Sequence, residues 1–289
     1  MPKNACSSVT AELMRKPLKT QIWIVIIGCI LVSFMDIKAQ CTAQNEAIQV
    51  GEKLTYELKF NWKFIWVNAG EAKMDLTATT YNGKPCYKTE LLCVSNSKVD
   101  FFFKMRDTLT CITTDRLQPQ YFRKGAEEGS RYSVDEVWFD YADGKSVVNQ
   151  QRKVRGRKTI TAKDITEDCV FDMLSILLQA RSYDPKDYKV GDKILFPMAT
   201  GRRIEQQTLI YRGKKNFKAE NDVKYRCLVF SLVEYNKKGK EEEVITFYVT
   251  DDKNHLPVRL DLYLNFGSAK AFLKTVEGNR HPLTSIIKD

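Results

Sequence analysis

The chain has 289 residues, with 46 lysines and arginines against 36 acidic residues, so its formal net charge at pH 7 is +10. Its only histidines, His255 and His281, argue against a zinc centre with several histidine ligands and against a histidine-rich catalytic centre. Eight cysteines are too few for a disulfide-stapled scaffold, so a hydrophobic core must stabilise the fold. We predict no metal, no cofactor and no catalytic residue.

The N-terminal segment has the order of a secretory signal peptide. A basic stretch follows Met14, an apolar run covers residues 22–34, and a small residue stands before Gln40. The run is shorter than the about 20 residues that span a bilayer. We predict that residues 1–39 are a cleaved signal peptide, that residues 1–13 lie upstream of a true start at Met14, and that cleavage leaves no transmembrane span.

Export would place the protein in the periplasm or elsewhere in the cell envelope. Its positive charge would then face lipid headgroups, lipopolysaccharide or an envelope protein rather than nucleic acid. A lipid anchor at Cys29 or Cys41 is the alternative. The apolar run continues past Cys29, and the residues before Cys41 match a lipidation sequence poorly, so we favour soluble export.

Alternating apolar and polar residues predict long strands in the N-terminal half. Period two holds over residues 54–64 and again over 72–78, and we expect Gly70 to end the first strand. Asn82 and Gly83 indicate a tight turn. Further strands are predicted over 86–95, 105–113 and 131–141.

The C-terminal half repeats this pattern, with turns at 236–239 and 251–254. Its predicted strands cover 203–212, 224–235, 242–250, 256–266 and 269–276.

One amphipathic helix is predicted over residues 168–182, ended by Asp184 and Pro185. Helical periodicity groups two sets of side chains. The apolar face holds Val170, Met173, Leu174, Leu177 and Leu178, and the polar face holds Asp172, Ser175 and Gln179. Arg181 falls in the middle of the apolar face. Because an isolated helix of this length is unstable, it must pack against the sheet.

These elements predict an all-β fold for residues 40–289, organised as a single β-rich domain. Long antiparallel strands would form a curved sheet or half-open barrel, with the one amphipathic helix packed on its concave side.

Several short motifs resemble, in order and spacing, the domain of unknown function 3108 family over residues 46–275. They are Gly51-Glu52-x-Leu54-x-Tyr56, Ala69-Gly70-x-Ala72, Asp172-x-Leu174-Ser175 with Arg181, and Asp252 before Leu256-Pro257-Val258. Tyr248 stands near the place of a tryptophan that often precedes the late aspartate. The resemblance implies an exported bacterial protein without established activity, and it supplies no catalytic residues.

Cys93 and Cys111 lie on consecutive predicted strands and form a candidate disulfide, since export permits such bonds. The alternative is that they are small buried hydrophobic residues. No Cys-x-x-Cys spacing occurs, which argues against a redox or zinc-ribbon motif.

The densest basic run is a candidate surface for docking to an anionic envelope component. It contains Arg152, Lys153, Arg155, Arg157 and Lys158. The alternative is a solvated hairpin without a partner.

Four residues are candidates for a ligand pocket. Trp62, Phe64 and Trp66 would either line an apolar or sugar-binding groove or belong to the core. Arg181 would pair with a carboxylate from the sheet, extend to the surface or mark the headgroup end of a cavity.

The leading functional hypothesis is a non-enzymatic binding or carrier module of the envelope. It would hold an apolar or amphipathic ligand between the concave sheet and the helix, and it requires a continuous apolar pocket there. The alternative is a structural or protein-interaction module. An envelope-glycan hydrolase, with two carboxylates on adjacent strands, is the third and least favoured hypothesis.

Overall fold

The computed structural model describes residues 41–62, 65–219, 223–264 and 267–288. The predicted signal peptide and the pocket candidate Phe64 lie outside these ranges. Within them, no helix combines the length and apolar character needed to cross a membrane.

The fold is one antiparallel sheet in which most strands pair with the strands that precede and follow them along the chain. The strands are β1 (Lys53–Trp62), β2 (Ile65–Tyr81), β3 (Lys84–Ser95), β4 (Met105–Thr113), β5 (Pro119–Glu128), β6 (Arg131–Ala142), β7 (Lys145–Val154), β8 (Ile160–Thr166), β9 (Lys193–Ala199), β10 (Ile204–Lys218), β11 (Lys224–Tyr235), β12 (Glu241–Thr250), β13 (Pro257–Leu264), β14 (Gly267–Glu277) and β15 (Ile286–Ile287). Two helices interrupt them, α1 (Ser97–Asp100) and α2 (Met173–Ala180), with a 3-10 turn at Pro185–Asp187.

The sheet is open. Its strand order runs from β8 back to β1, continues through β14 and ends at β9, so β8 and β9 are the two edges. β1 joins the two halves because it pairs with both β2 and β14. The all-β class, the long antiparallel strands and the single packed amphipathic helix are confirmed, and the sheet does not close into a barrel.

Gly70 lies inside β2, so the prediction that it ends a strand is wrong. The register between β1 and β2 shifts at Leu58 and Lys59, close to Gly70, which marks a bulge. A Cβ at Gly70 would stand 2.1 Å from the carbonyl oxygen of Val94 on β3. Glycine is therefore required here by close backbone approach rather than by a turn.

α2 is shorter than predicted, and its polar face is buried rather than exposed. Asp172 caps the helix by accepting hydrogen bonds from the amides of Leu174 and Ser175, so the helix begins only at Met173. Ser175 is fully buried and Gln179 nearly so. The side chain of Gln179 donates a hydrogen bond to the carbonyl of Cys41 over 3.1 Å.

α2 joins three groups of buried apolar side chains. Leu174 packs with Leu109 and Val137, Leu178 packs with Ile48, and Leu177 contacts the cluster that the central strands contribute. Burial of a leucine side chain stabilises the folded state by roughly 2 kcal/mol. The helix and these side chains fill the face of the sheet where the carrier hypothesis requires a pocket.

Candidate functional site

Arg181 forms a buried ion pair with Glu52. The two guanidinium terminal nitrogens donate to the two carboxylate oxygens over 2.6 and 2.8 Å, and each side chain is only 2% exposed. Glu52 directly precedes β1, and its carbonyl accepts a hydrogen bond from the amide of Leu76 in β2. Because both carboxylate oxygens are engaged, we assign Arg181 a structural role rather than a ligand contact.

The β12–β13 turn completes this arrangement. Arg181 Nε donates to the carbonyl of Asn254, and His255 Nδ1 lies 2.6 Å from the carbonyl of Arg181. Asp252 orders the turn, since its carboxylate accepts from the Thr250 hydroxyl and from the amide of Asn254. The end of α2, the start of β1 and this turn are thus locked together.

The structure contains a disulfide between Cys41 and Cys169, with their Cα atoms 5.0 Å apart. It ties the start of the described chain to the segment that enters α2. Sequence spacing carries no signal for it because 128 residues separate the partners. A sulfur in this bond is not available for a thioether lipid, so the disulfide and a lipid anchor at Cys41 exclude one another.

The predicted Cys93–Cys111 disulfide is wrong, because both thiols are free. In the β3–β4 register, Cys93 stands opposite Asp107 and Cys111 stands opposite Thr89. Burial raises the pKa of Cys93 to about 12 and raises that of Cys111 well above its ordinary value. Such thiols are poor nucleophiles at neutral pH and act as small core residues.

Of the three aromatic pocket candidates, only Trp66 has a side chain that the structure describes. Trp62 ends β1. Trp66 in β2 is 37% exposed, and the Lys270 ammonium lies 4.2 Å from its ring centroid. Trp66 therefore belongs to the surface near one end of the sheet, and the apolar core lies elsewhere.

The basic run divides between two environments. Arg152 and Lys153 lie on β7 and pair with Asp135 and Glu136 of β6, over 2.9 and 3.4 Å. The other three residues occupy the exposed β7–β8 turn. They are Arg155, Arg157 and Lys158.

An open groove of about 520 Å³ lies where β1, β2 and β3 meet α1. Its lining is mixed, with charged, amide and apolar side chains from Glu57, Asn68, Gly70, Glu71, Lys73, Leu92, Val94, Ser95, Asn96 and Lys274. Glu57 alternates along β1 with the buried Tyr56, so the groove opens on the face opposite the core.

Side chains within the groove are held in place. Asn68 donates to a Glu57 carboxylate oxygen over 2.8 Å, and Lys73 pairs with Glu71 over 2.8 Å. Glu57 and Glu71 are direct partners in the β1–β2 register. No local sequence pattern indicates this groove, because only the strand register and the Gly70 bulge bring its residues together.

A second open cavity of about 460 Å³ lies among polar residues near the start of the described chain. It is lined by Gln44, Asn45, Tyr87, Asp115, Arg116 and Arg280. Among the side chains that the structure describes, no group of three or more histidine, cysteine and acidic residues could hold a metal ion.

Comparison with solved structures finds a crystal structure of a β-barrel-like protein of the domain of unknown function DUF1849 from Brucella abortus. It matches with a TM-score of 0.52 and 10% sequence identity, over 80% of this chain and 98% of that protein. At this identity the likeness concerns the fold alone. No curated protein matches the chain.

The family comparison agrees with the motifs identified in the sequence. The model of a protein family of unknown function, DUF3108, matches residues 55–274. This range includes most of the strands and α2. The chain therefore belongs to the DUF3108 family.

Proposed function

We propose that the protein is an exported, non-enzymatic binding module of the cell envelope, and that it binds an amphipathic ligand on its surface rather than inside the sheet. The observation that carries the proposal is the mixed groove. Leu92 and Val94 offer apolar contact beside charges of both signs from Glu57, Lys73 and Lys274. Such a lining suits a ligand with a polar or zwitterionic head and an apolar portion.

The disulfide supports the export part of the proposal. Disulfides persist in oxidising compartments and are rare in the cytosol. The Cys41–Cys169 bond lies at the start of the described chain, just after the predicted cleavage before Gln40. An exported protein would form it as the mature chain folds.

The filled interior is the reason for moving the ligand to the surface. A carrier of the kind predicted from sequence needs a continuous apolar cavity between sheet and helix. That space is occupied by Leu174, Leu177, Leu178 and the strand residues they contact. The groove, in contrast, is open to solvent.

The test is native mass spectrometry of the protein purified from the envelope of its own host. We expect a co-purified lipid or glycolipid on the wild-type protein and its loss from Leu92→Glu, which adds a charge to the apolar wall. Leu195→Glu is the matched control, because Leu195 is an exposed leucine on β9, outside the groove. Equal ligand occupancy in all three proteins, or none in the wild type, would count against the proposal.

A glycan hydrolase is the second candidate, and one observation favours it. Glu57 and Glu71 face the groove from directly opposite positions on adjacent strands, the arrangement expected of a carboxylate pair. Incubation of peptidoglycan with the wild type and with Glu57→Gln distinguishes the hydrolase from the binding module. Release of sugars that the substitution abolishes would favour the hydrolase.

A further inference from the structure

One end of the sheet presents an apolar surface that neither the core nor the groove explains. In this meander the end of β1, the start of β2 and the β3–β4 connection lie at the same end of the sheet. Exposed apolar residues here are Phe101 at 86%, Phe102 at 72%, Ile65 at 67%, Phe103 at 42% and Trp66 at 37%. We call these five residues the aromatic rim.

The aromatic rim is held in place by ordered contacts. Asn96 caps α1, and its side-chain amide donates to the carbonyl of Asn68 on β2 over 2.8 Å. Asp100, at the end of α1, accepts from Arg106 over 3.0 Å and also from the hydroxyl of Ser95. The β3–β4 connection is therefore anchored on both sides while its phenylalanines face solvent.

Isolated exposed apolar residues are ordinary on a protein surface, but a contiguous group indicates an interaction site. Phe101 and Phe102 contact each other edge to face, with ring centroids 5.1 Å apart. The β5–β6 turn adjoins them, since the amide of Gly129 donates to the carbonyl of Lys104 over 2.7 Å. The β5–β6 turn therefore lies beside Phe103, whose ring is 3.9 Å from the position of a Cβ at Gly129.

The neighbouring turns are basic. Among the residues that the structure describes, the exposed cations of these turns include Lys98, Arg131, Arg155, Arg157 and Lys158. Carboxylates near the same turns are matched by cations: Asp100 pairs with Arg106, and Glu127 pairs with Lys104 over 3.0 Å. The exposed cations of these turns therefore give this end of the sheet a positive electrostatic potential.

The geometry points to docking of this end on the surface of a bilayer that contains anionic lipid. The aromatic rim would enter the headgroup and acyl boundary, as exposed aromatic side chains do in peripheral membrane proteins. The basic turns would lie beside it, within a Debye length of about 8 Å of the anionic headgroups. This docking goes beyond the groove proposal, although the groove opens next to the rim through Asn96 and Ser95.

The experiment is sedimentation of the purified protein with vesicles of phosphatidylcholine, with and without phosphatidylglycerol, at low and high salt. We expect binding to the anionic vesicles that weakens as salt rises. Phe101→Ala/Phe102→Ala should lower the partition coefficient about 100-fold, because two phenylalanine side chains no longer leave water. Both positions are exposed, so the variant should unfold at the wild-type temperature.

Val190→Ala/Leu195→Ala is the matched control, because it removes two exposed apolar side chains outside the rim. It should bind vesicles as the wild type does. Phe101→Trp should retain binding, and brominated lipid should quench its added fluorescence. Two results would overturn the inference. One is that the wild type does not bind anionic vesicles. The other is that the rim variant and the control variant bind alike, whether both keep or both lose wild-type binding.

The groove proposal and the rim proposal can be refuted independently of each other. Leu92→Glu should lose the co-purified ligand and keep vesicle binding, whereas the Phe101 and Phe102 variant should lose vesicle binding. If rim substitutions instead abolish capture of a soluble envelope protein and vesicles are never bound, the partner is a protein and the bilayer inference is wrong.

Discussion

Substitution of Glu52 by glutamine leaves the guanidinium of Arg181 buried without a counter-ion. Both side chains are 2% exposed and share two hydrogen bonds of 2.6 and 2.8 Å, so water does not replace the lost charge. Removing one member of such a pair destabilises a protein by about 3–5 kcal/mol. For a domain of this size, that corresponds to a fall in melting temperature of about 10 °C.

The assay is thermal and urea unfolding followed by circular dichroism. Glu205→Gln is the control, because Glu205 pairs with Arg203 over 2.6 Å at the surface and such pairs contribute about 0–1 kcal/mol. The double variant Glu52→Gln/Arg181→Met should be less destabilised than the two single changes added together, since it leaves no charge buried. A Glu52→Gln variant that loses no more unfolding free energy than Glu205→Gln would show that the buried pair does not stabilise the fold.

Three further predictions concern the disulfide, a buried carboxyl and the Gly70 bulge. Cys41→Ser/Cys169→Ser should lower the free energy of unfolding by about 2–5 kcal/mol, and reductant should then have no further effect; an unchanged urea midpoint would contradict this. Burial raises the pKa of Asp107 to about 6, so its charged form opposes folding above that pH. Asp107→Asn should raise stability at pH 7 by about 1 kcal/mol and lose this advantage below its unfolded pKa of about 4, as urea titrations at several pH values would detect; the opposite pH trend would refute it. Gly70→Ala should lower the free energy of unfolding by at least about 3 kcal/mol, because the added Cβ would collide with the backbone of Val94. Gly125→Ala should lower it by only about 1 kcal/mol, because the Cβ there would meet only the flexible side chain of Arg123. Equal urea midpoints for the two variants would contradict the close approach at Gly70.

The sequence predicts strands well where one face is apolar and the other polar. The bounds of β4 and β11 agree with the alternation over 105–113 and 224–235. β8 is missed because it is an edge strand whose residues are exposed or half-exposed on both faces. β9 is missed because Pro197 interrupts the pattern, and an edge position is where a strand tolerates proline.

The candidate site is less accessible to sequence reasoning because register decides it. Alternation with period two assigns Cys93 and Cys111 to strands, but it does not show that Cys93 pairs with Asp107 and Cys111 with Thr89. In the same way, helical periodicity assigns Ser175 and Gln179 to a polar face without showing that this face is buried, or that Gln179 contacts the carbonyl of Cys41. Long-range pairing supplies this information, and no local pattern contains it.

Most residues that carry the family resemblance belong to the scaffold, although Gly70 also lines the groove. Glu52 and Arg181 form the buried ion pair, Asp172 caps α2, and Asp252 orders the turn whose Asn254 carbonyl accepts from Arg181. The contacts of Glu52, Arg181 and Asp252 gather near the start of β1 and the β12–β13 turn, whereas the aromatic rim lies beyond the opposite end of β1. The motif therefore specifies how the helix and the sheet are joined.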